Sequence, residues 1–157
     1  MSVPELATAK TVLRPIVLSV HSPSWQAATR QQLPPQTTPR WVADVSQVRS
    51  AWEWERRAPI VLEIDRTNWR AVTDWLVEAQ IDRQSPVVIG VGALLGQPGY
   101  RQILAQAGLA AGLARPDQID RLGGWLRRVL AHTRWPESTL EQQFRQNLPW
   151  PKFAGSE

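Results

Sequence analysis

With 157 residues, 43% of them hydrophobic and 20% charged, the chain has the size and balance of one globular domain with a single core, which excludes a disordered polymer. It has no Cys, which excludes disulfides, thiolate metal sites and cysteine nucleophiles and fits a reducing compartment, and its two His, His21 and His132, leave little for zinc. The net charge of +4 is carried almost entirely by Arg scattered near acids, as in "EWERR" and "IDRTNWR", so a solvated surface is favoured over a nucleic-acid face.

In chain order, residues 1–13 read as an N-terminal arm. The opening "MSVPELATAKTVLRP" carries acid and proline where a signal peptide needs an apolar stretch, and no apolar run approaches the roughly 20 residues that span a bilayer. A cytoplasmic chain with no membrane partner is expected. Five short apolar runs then alternate with amphipathic segments: "PIVLSV" (15–20), "RWVADV" (40–45), "APIVLEI" (58–64), "PVVIGVG" (86–92) and the weaker "LAAGLA" (109–114). Helical patterns lie between them: "SWQAATRQQL", "SQVRSAWEWERR" after Asp44, "NWRAVTDWLVEAQ" after Thr67 and "GYRQILAQAG". In "PDQIDRLGGWLRRVLAHTR", Ile119, Leu122, Leu126, Val129 and Leu130 fall on one stripe at helical spacing.

Near-continuous Val/Ile/Leu strands alternating with helices predict a parallel sheet covered on both faces. Right-handed crossovers make this a doubly wound, three-layer α/β sandwich over residues 14–134, with flavodoxin-like strand order 2-1-3-4-5. Residues 135–157 form a C-terminal extension in which Ser138 and Glu141 fit a capping box, so a short helix is expected there before Pro149 and Pro151.

In such a sheet, ligands bind beyond the carboxyl ends of the strands, where Glu63 and Asp65 close the third run. As residues i and i+2 they would point to one side, roughly 6.6 Å apart. No further acid, Ser–His pair or metal cluster sits at the neighbouring strand ends, so neither a hydrolase nor a metal site is expected. Gly90, Gly92 and Gly96 match a loose GxGxxxG, but they follow the fourth strand and no suitably placed acid follows, so a glycine-dependent loop with a turn at Pro98–Gly99 is favoured over nucleotide binding.

Residues from about 14 to 132 resemble the receiver domain of bacterial response regulators. "AGLAAGLARPDQIDRL" (107–122) is similar to the family's "AGADDYLTKPFDLDEL" without a gap, and "PIVLEI" to its phospho-acceptor strand "DLVLLDI". The resemblance places the family's Mg²⁺-binding acidic pair on His21 and Ser22, and its acceptor Asp on Glu63. It places the hydroxyl that senses the phosphoryl group near Val91 or Gly92, the switch aromatic on Gly112, and the Lys–Pro pair on Arg115–Pro116. A His and a Ser are poor substitutes for two carboxylates around Mg²⁺. What the resemblance implies is therefore a degenerate pseudo-receiver: a receiver scaffold without phosphoryl transfer, with no cofactor, no metal and no enzymatic activity. Glu63 would face Arg115 as a fixed charge pair, either structural or holding a signalling state in place.

Of nine Trp, Trp52 and Trp75 fall on inner helix faces, whereas Trp54, Trp69 and Trp125 lie off those stripes and Trp135 and Trp150 belong to the extension. Exposed Trp and Arg favour protein interfaces, since the indole ring buries a large area at low entropic cost. The expected interaction surface comprises Arg121, Trp125 and Arg128, the face that commonly joins receivers, with Trp135 and Trp150; the tail aromatics would alternatively cover their own domain. The expected function is thus a non-catalytic signalling or regulatory module that binds a protein, or a second copy of itself as a homodimer. The alternative is a small-ligand or nucleotide sensor using the loops at the strand ends.

Overall fold

A computed structural model describes residues 13–82 and 85–132. The N-terminal arm up to residue 12 and the extension with Trp135, Ser138, Glu141 and Trp150 lie outside the described residues. The strands are β1 (Arg14–Ser19), β2 (Thr37–Trp41), β3 (Ile60–Glu63), β4 (Val88–Val91) and β5 (Ala111–Leu113). They form one sheet in the order β2-β1-β3-β4-β5, and every pairing is parallel. The helices are α1 (Pro23–Gln32), α2 (Val45–Trp54), α3 (Trp69–Ile81), α4 (Pro98–Ala107) and α5 (Asp120–His132), with 3₁₀ turns at Ala93–Gly96 and Pro116–Gln118. The expected flavodoxin-like sandwich is the observed one.

Alternation along the strands divides the core into two layers. Leu18, Val61, Ile89 and Val91 pack with Trp25 of α1 and with Leu122, Leu126 and Leu130 of α5. Val17, Ile60, Leu62 and Val88 pack instead with Val48 and Trp52 of α2, Val72 and Trp75 of α3 and Leu104 of α4. As expected, Trp52 and Trp75 are core residues; their rings meet edge-to-face at 5.9 Å, and Trp52 Nε1 donates to the carbonyl of Arg56 at 3.1 Å. On the α5 stripe, Leu122, Leu126 and Leu130 are buried, while Ile119 and Val129 are half-buried.

The second strand departs from expectation. It runs over Thr37–Trp41 rather than 40–45, because Asp44 is used to start α2: its side chain accepts from Gln47 N–H at 2.9 Å. As an edge strand, β2 has three exposed residues in its middle and includes Pro39, so an apolar run does not mark it. The fifth strand shortens to Ala111–Leu113. Pro98 and Gly99 do not form a turn but open α4, Pro98 sitting in its first turn where a missing N–H is harmless.

Candidate functional site

The site is built at the carboxyl ends of β1, β3 and β4. In β3, Val61 points into the α1/α5 layer, and Glu63 follows it at i+2, paired in register with Val91 of β4. The Glu63 residue is only 8% exposed. A carboxylate this sheltered must find donors, since burying it alone is costly. The loop between β1 and α1 supplies them. His21 N–H and Ser22 N–H donate to Glu63 Oε1 at 2.7 and 2.8 Å, and the Ser22 hydroxyl donates to Oε2 at 2.5 Å. Ser22 occupies the N-cap of α1, yet its side chain makes no capping hydrogen bond to that helix; its hydroxyl serves Glu63 instead. The positions where the resemblance places metal-binding acids thus contribute N–H and O–H donors.

Asp65 lies past the end of β3, where the i, i+2 rule of a strand no longer holds, and it organises the entry to α3. Its Oδ1 accepts from Thr67 N–H (2.9 Å), Thr67 Oγ1 (2.6 Å) and Asn68 N–H (3.0 Å). Asn68 reciprocates: its Oδ1 accepts from Asp65 N–H at 2.9 Å and its Nδ2 donates to the Glu63 carbonyl at 2.8 Å. Partial burial alone would raise the Asp65 carboxyl, but the hydrogen bonds from Thr67 and Asn68, helped by nearby His21, outweigh it and hold the group below its ordinary range.

Glu63 and Asp65 do share a cleft of about 320 Å³ with Ser22, Trp25, Gly92 and Gln97. Its floor is set by Gly92, which has φ 139° and whose Cα is so close to the Ile64 carbonyl that a Cβ would stand 2.5 Å from that oxygen. The Gly92 N–H is bound to the Leu113 carbonyl at 2.9 Å. Only this glycine of the GxGxxxG run has a positive φ; Gly90 lies inside β4 and Gly96 in the 3₁₀ turn. Gly112, at the switch-aromatic position, lies in β5 facing Leu95.

Arg115 does not face Glu63. It pairs with Asp117 at 3.2 Å, with both side chains 69% exposed, an arrangement that contributes little stability. The chain turns into a 3₁₀ helix at Pro116, so Arg115 meets the acid two residues on, while Glu63 is satisfied by nearer backbone donors. On α5, Arg121 and Arg128 are exposed, and Trp125 is half-buried against the core. The groove beside Trp125 measures about 330 Å³ and includes Val87, Ile89, Ala111, Arg128 and Val129. Trp69, expected off the packed face, is half-buried and meets Tyr100 edge-to-face at 5.2 Å, while Trp54 is 85% exposed.

Trp25, Thr67 and Asn68 escaped the sequence reading as site residues. A legible signal existed for the last, an Asn three positions after an Asp at a helix entrance. Among the described residues, no group of three or more His, Cys, Asp or Glu could hold a metal ion, and no helix is long and apolar enough to cross a membrane.

No family model matches the sequence, and no curated protein matches it. Among solved structures, a CheY-like protein, TadZ, from Pseudomonas aeruginosa PAO1 superposes with a TM-score of 0.57 at 14% identity, over 74% of this chain and 98% of that one. At that identity the likeness speaks for the fold: five parallel strands in the order 2-1-3-4-5 between two helical layers are the architecture of a CheY-like receiver.

Proposed function

We propose that the chain is a receiver-like protein–protein interaction module of a signalling or regulatory system that neither catalyses a reaction nor accepts a phosphoryl group. The observation that carries this reading is the Glu63 carboxylate, whose Oε1 accepts two backbone N–H groups and whose Oε2 accepts the Ser22 hydroxyl. Phosphoryl transfer to a carboxylate depends on an oxygen free to attack and on cations that neutralise the incoming charge. A divalent ion placed here would find only two carboxylates, Glu63 and Asp65, both already engaged as acceptors, and N–H donors at His21 and Ser22 where it needs further oxygen ligands, so the residues present do not fit Mg²⁺. An interaction role is supported by apolar side chains left in solvent, Trp54 foremost. The α5 face with Arg121, Trp125 and Arg128 would receive a partner or a second copy.

A phosphate-bearing ligand finds little support in the same cleft: two carboxylates line it against one cation, Arg66, and the Gly92 N–H is already bonded. The test is incubation of the full chain with acetyl phosphate and Mg²⁺, followed by intact-mass spectrometry. An unmodified mass is expected. A phosphoryl group mapped to Glu63 would overturn the proposal.

A further inference from the structure

Helix α5 runs to His132, the last described residue, and an apolar groove opens beside its final two turns. Val87 and Ile89 from the β4 side, Ala110 and Ala111 from the β5 side, and Trp125 and Val129 of α5 line it, and Arg128 is the only charged residue among them. The sheet ends here, with β5 as its edge strand. Ile89 is 1% exposed, but its register partner Ala111 carries only a methyl group, too small to fill the space under α5. Ala111, Trp125 and Val129 are each half-buried and Ala110 is exposed, so among the described residues the groove stands open to solvent.

The sequence after His132 contains an occupant of matching chemistry within reach. Trp135 precedes Pro136, and a residue before proline is biased out of helical conformation, so the sequence directs α5 to stop there and the chain to turn. The capping box at Ser138 and Glu141 then opens a stretch whose apolar residues are Leu140, Phe144 and Leu148, at i, i+4 and i+8. Thr, Glu, Gln, Arg and Asn fill the other positions up to Pro149. These three make one stripe on a helix of about ten residues, a length that does not persist in water unless the stripe is packed. The link 133–137 can span roughly 17 Å, while Trp125 stands roughly 10 Å back along α5 from His132. The groove on the opposite side of α5 matches less well: Arg14 and Arg127 line it, and the Arg14 guanidinium donates to the Leu130 carbonyl.

We propose that the segment 138–148 docks as a helix on the Trp125 groove of its own domain, with Leu140, Phe144 and Leu148 against Ala111, Trp125 and Val129. The consequence rests on the reading of the chain as an interaction module and gives that module a regulated face: the extension covers the α5 surface in the free chain, and a partner for Trp125 and Arg128 must displace it.

The chain has no Cys, so a single introduced one can be labelled without background. Q142C, on the polar side of the stripe, carries a nitroxide in the ¹⁵N-labelled full chain, and amide peak intensities are compared before and after the nitroxide is reduced. Ala110, Ala111 and Val129 should lose most of their intensity, and Thr38 and Arg40 of β2, at the other edge of the sheet, should lose none. Adding F144D/L148D to the same chain should restore the three peaks, with circular dichroism checking that the fold is kept. Undiminished peaks at the groove, or losses centred on Gln36 and Thr37 beside Arg127, overturn the proposal. So do losses that appear when the nitroxide is carried by a second, ¹⁵N-free copy in a mixed sample, since the occupant is then another molecule. A phosphoryl group found on Glu63 would remove the non-catalytic reading and leave these intensities as they are, so the two failures are distinguishable.

Discussion

Replacing Glu63 with Ala is expected to lower the melting temperature by roughly 10 °C. The substitution leaves His21 N–H, Ser22 N–H and the Ser22 hydroxyl without their acceptor, all at a part-buried site. Each stranded donor costs about 1–3 kcal/mol, and partial relaxation of the loop brings the sum to about 3 kcal/mol. For a chain of this size, each kcal/mol moves the midpoint by about 3 °C. Glu63→Gln keeps the side-chain length, and its amide oxygen can still accept both backbone N–H groups. Its amide nitrogen faces the Ser22 hydroxyl, which can reverse and accept. The Gln variant loses the charge alone, about 1 kcal/mol. Thermal denaturation of the two variants beside the parent reads the difference. Equal losses would mean that the β1–α1 loop does not depend on the carboxylate.

Gly92→Ala is expected to destabilise the fold by about 3 kcal/mol, because two effects act together. The φ of 139° is one that side-chain-bearing residues rarely adopt, and the new methyl group would stand 2.5 Å from the Ile64 carbonyl oxygen. That oxygen belongs to the backbone at the end of β3 and cannot swing aside as a flexible side chain would. The ends of β3 and β4 must separate, opening the floor of the Glu63 cleft. Gly99→Ala is the matched control. It lies in the first turn of α4 with no atom within 4 Å of its added Cβ, so it should be neutral or stabilise by up to about 1 kcal/mol. Urea midpoints for the two variants check this contrast; a small loss at Gly92 would show that the β3–β4 rim is pliant.

The parts of this fold legible in the sequence were those in which packing dictates residue type. Ile60, Val61 and Leu62 are buried on both faces of a central strand, so they read as a continuous apolar run. Leu122, Leu126 and Leu130 bury one stripe of α5, so helical spacing reveals them. The edge strand β2 is not legible in this way, because its exposed residues leave no such trace and the apolar residues after it belong partly to the turn into α2. The partner of Glu63 was illegible for another reason. Its main donors are backbone N–H groups, which every residue but proline carries, so nothing in the letters His21 and Ser22 announces them. The resemblance pointed to Arg115 by position, but a cation two residues from Asp117 on an exposed 3₁₀ turn has a nearer acid.

Glu63 ties β3 to the loop after β1, and Asp65 closes the entrance to α3 through Thr67 and Asn68. The rim that would host chemistry is cross-linked by its own carboxylates.

The most direct test of that claim is the pair of backbone amide resonances of His21 and Ser22 in a ¹⁵N-labelled sample of the full chain. Hydrogen bonds to a carboxylate should shift both protons downfield, Glu63→Gln should reduce the shift, and Mg²⁺ with beryllofluoride should leave both peaks where they are. Saturable movement of either peak on adding Mg²⁺ would contradict the account, because it would show that the carboxylate releases these amides to bind a cation.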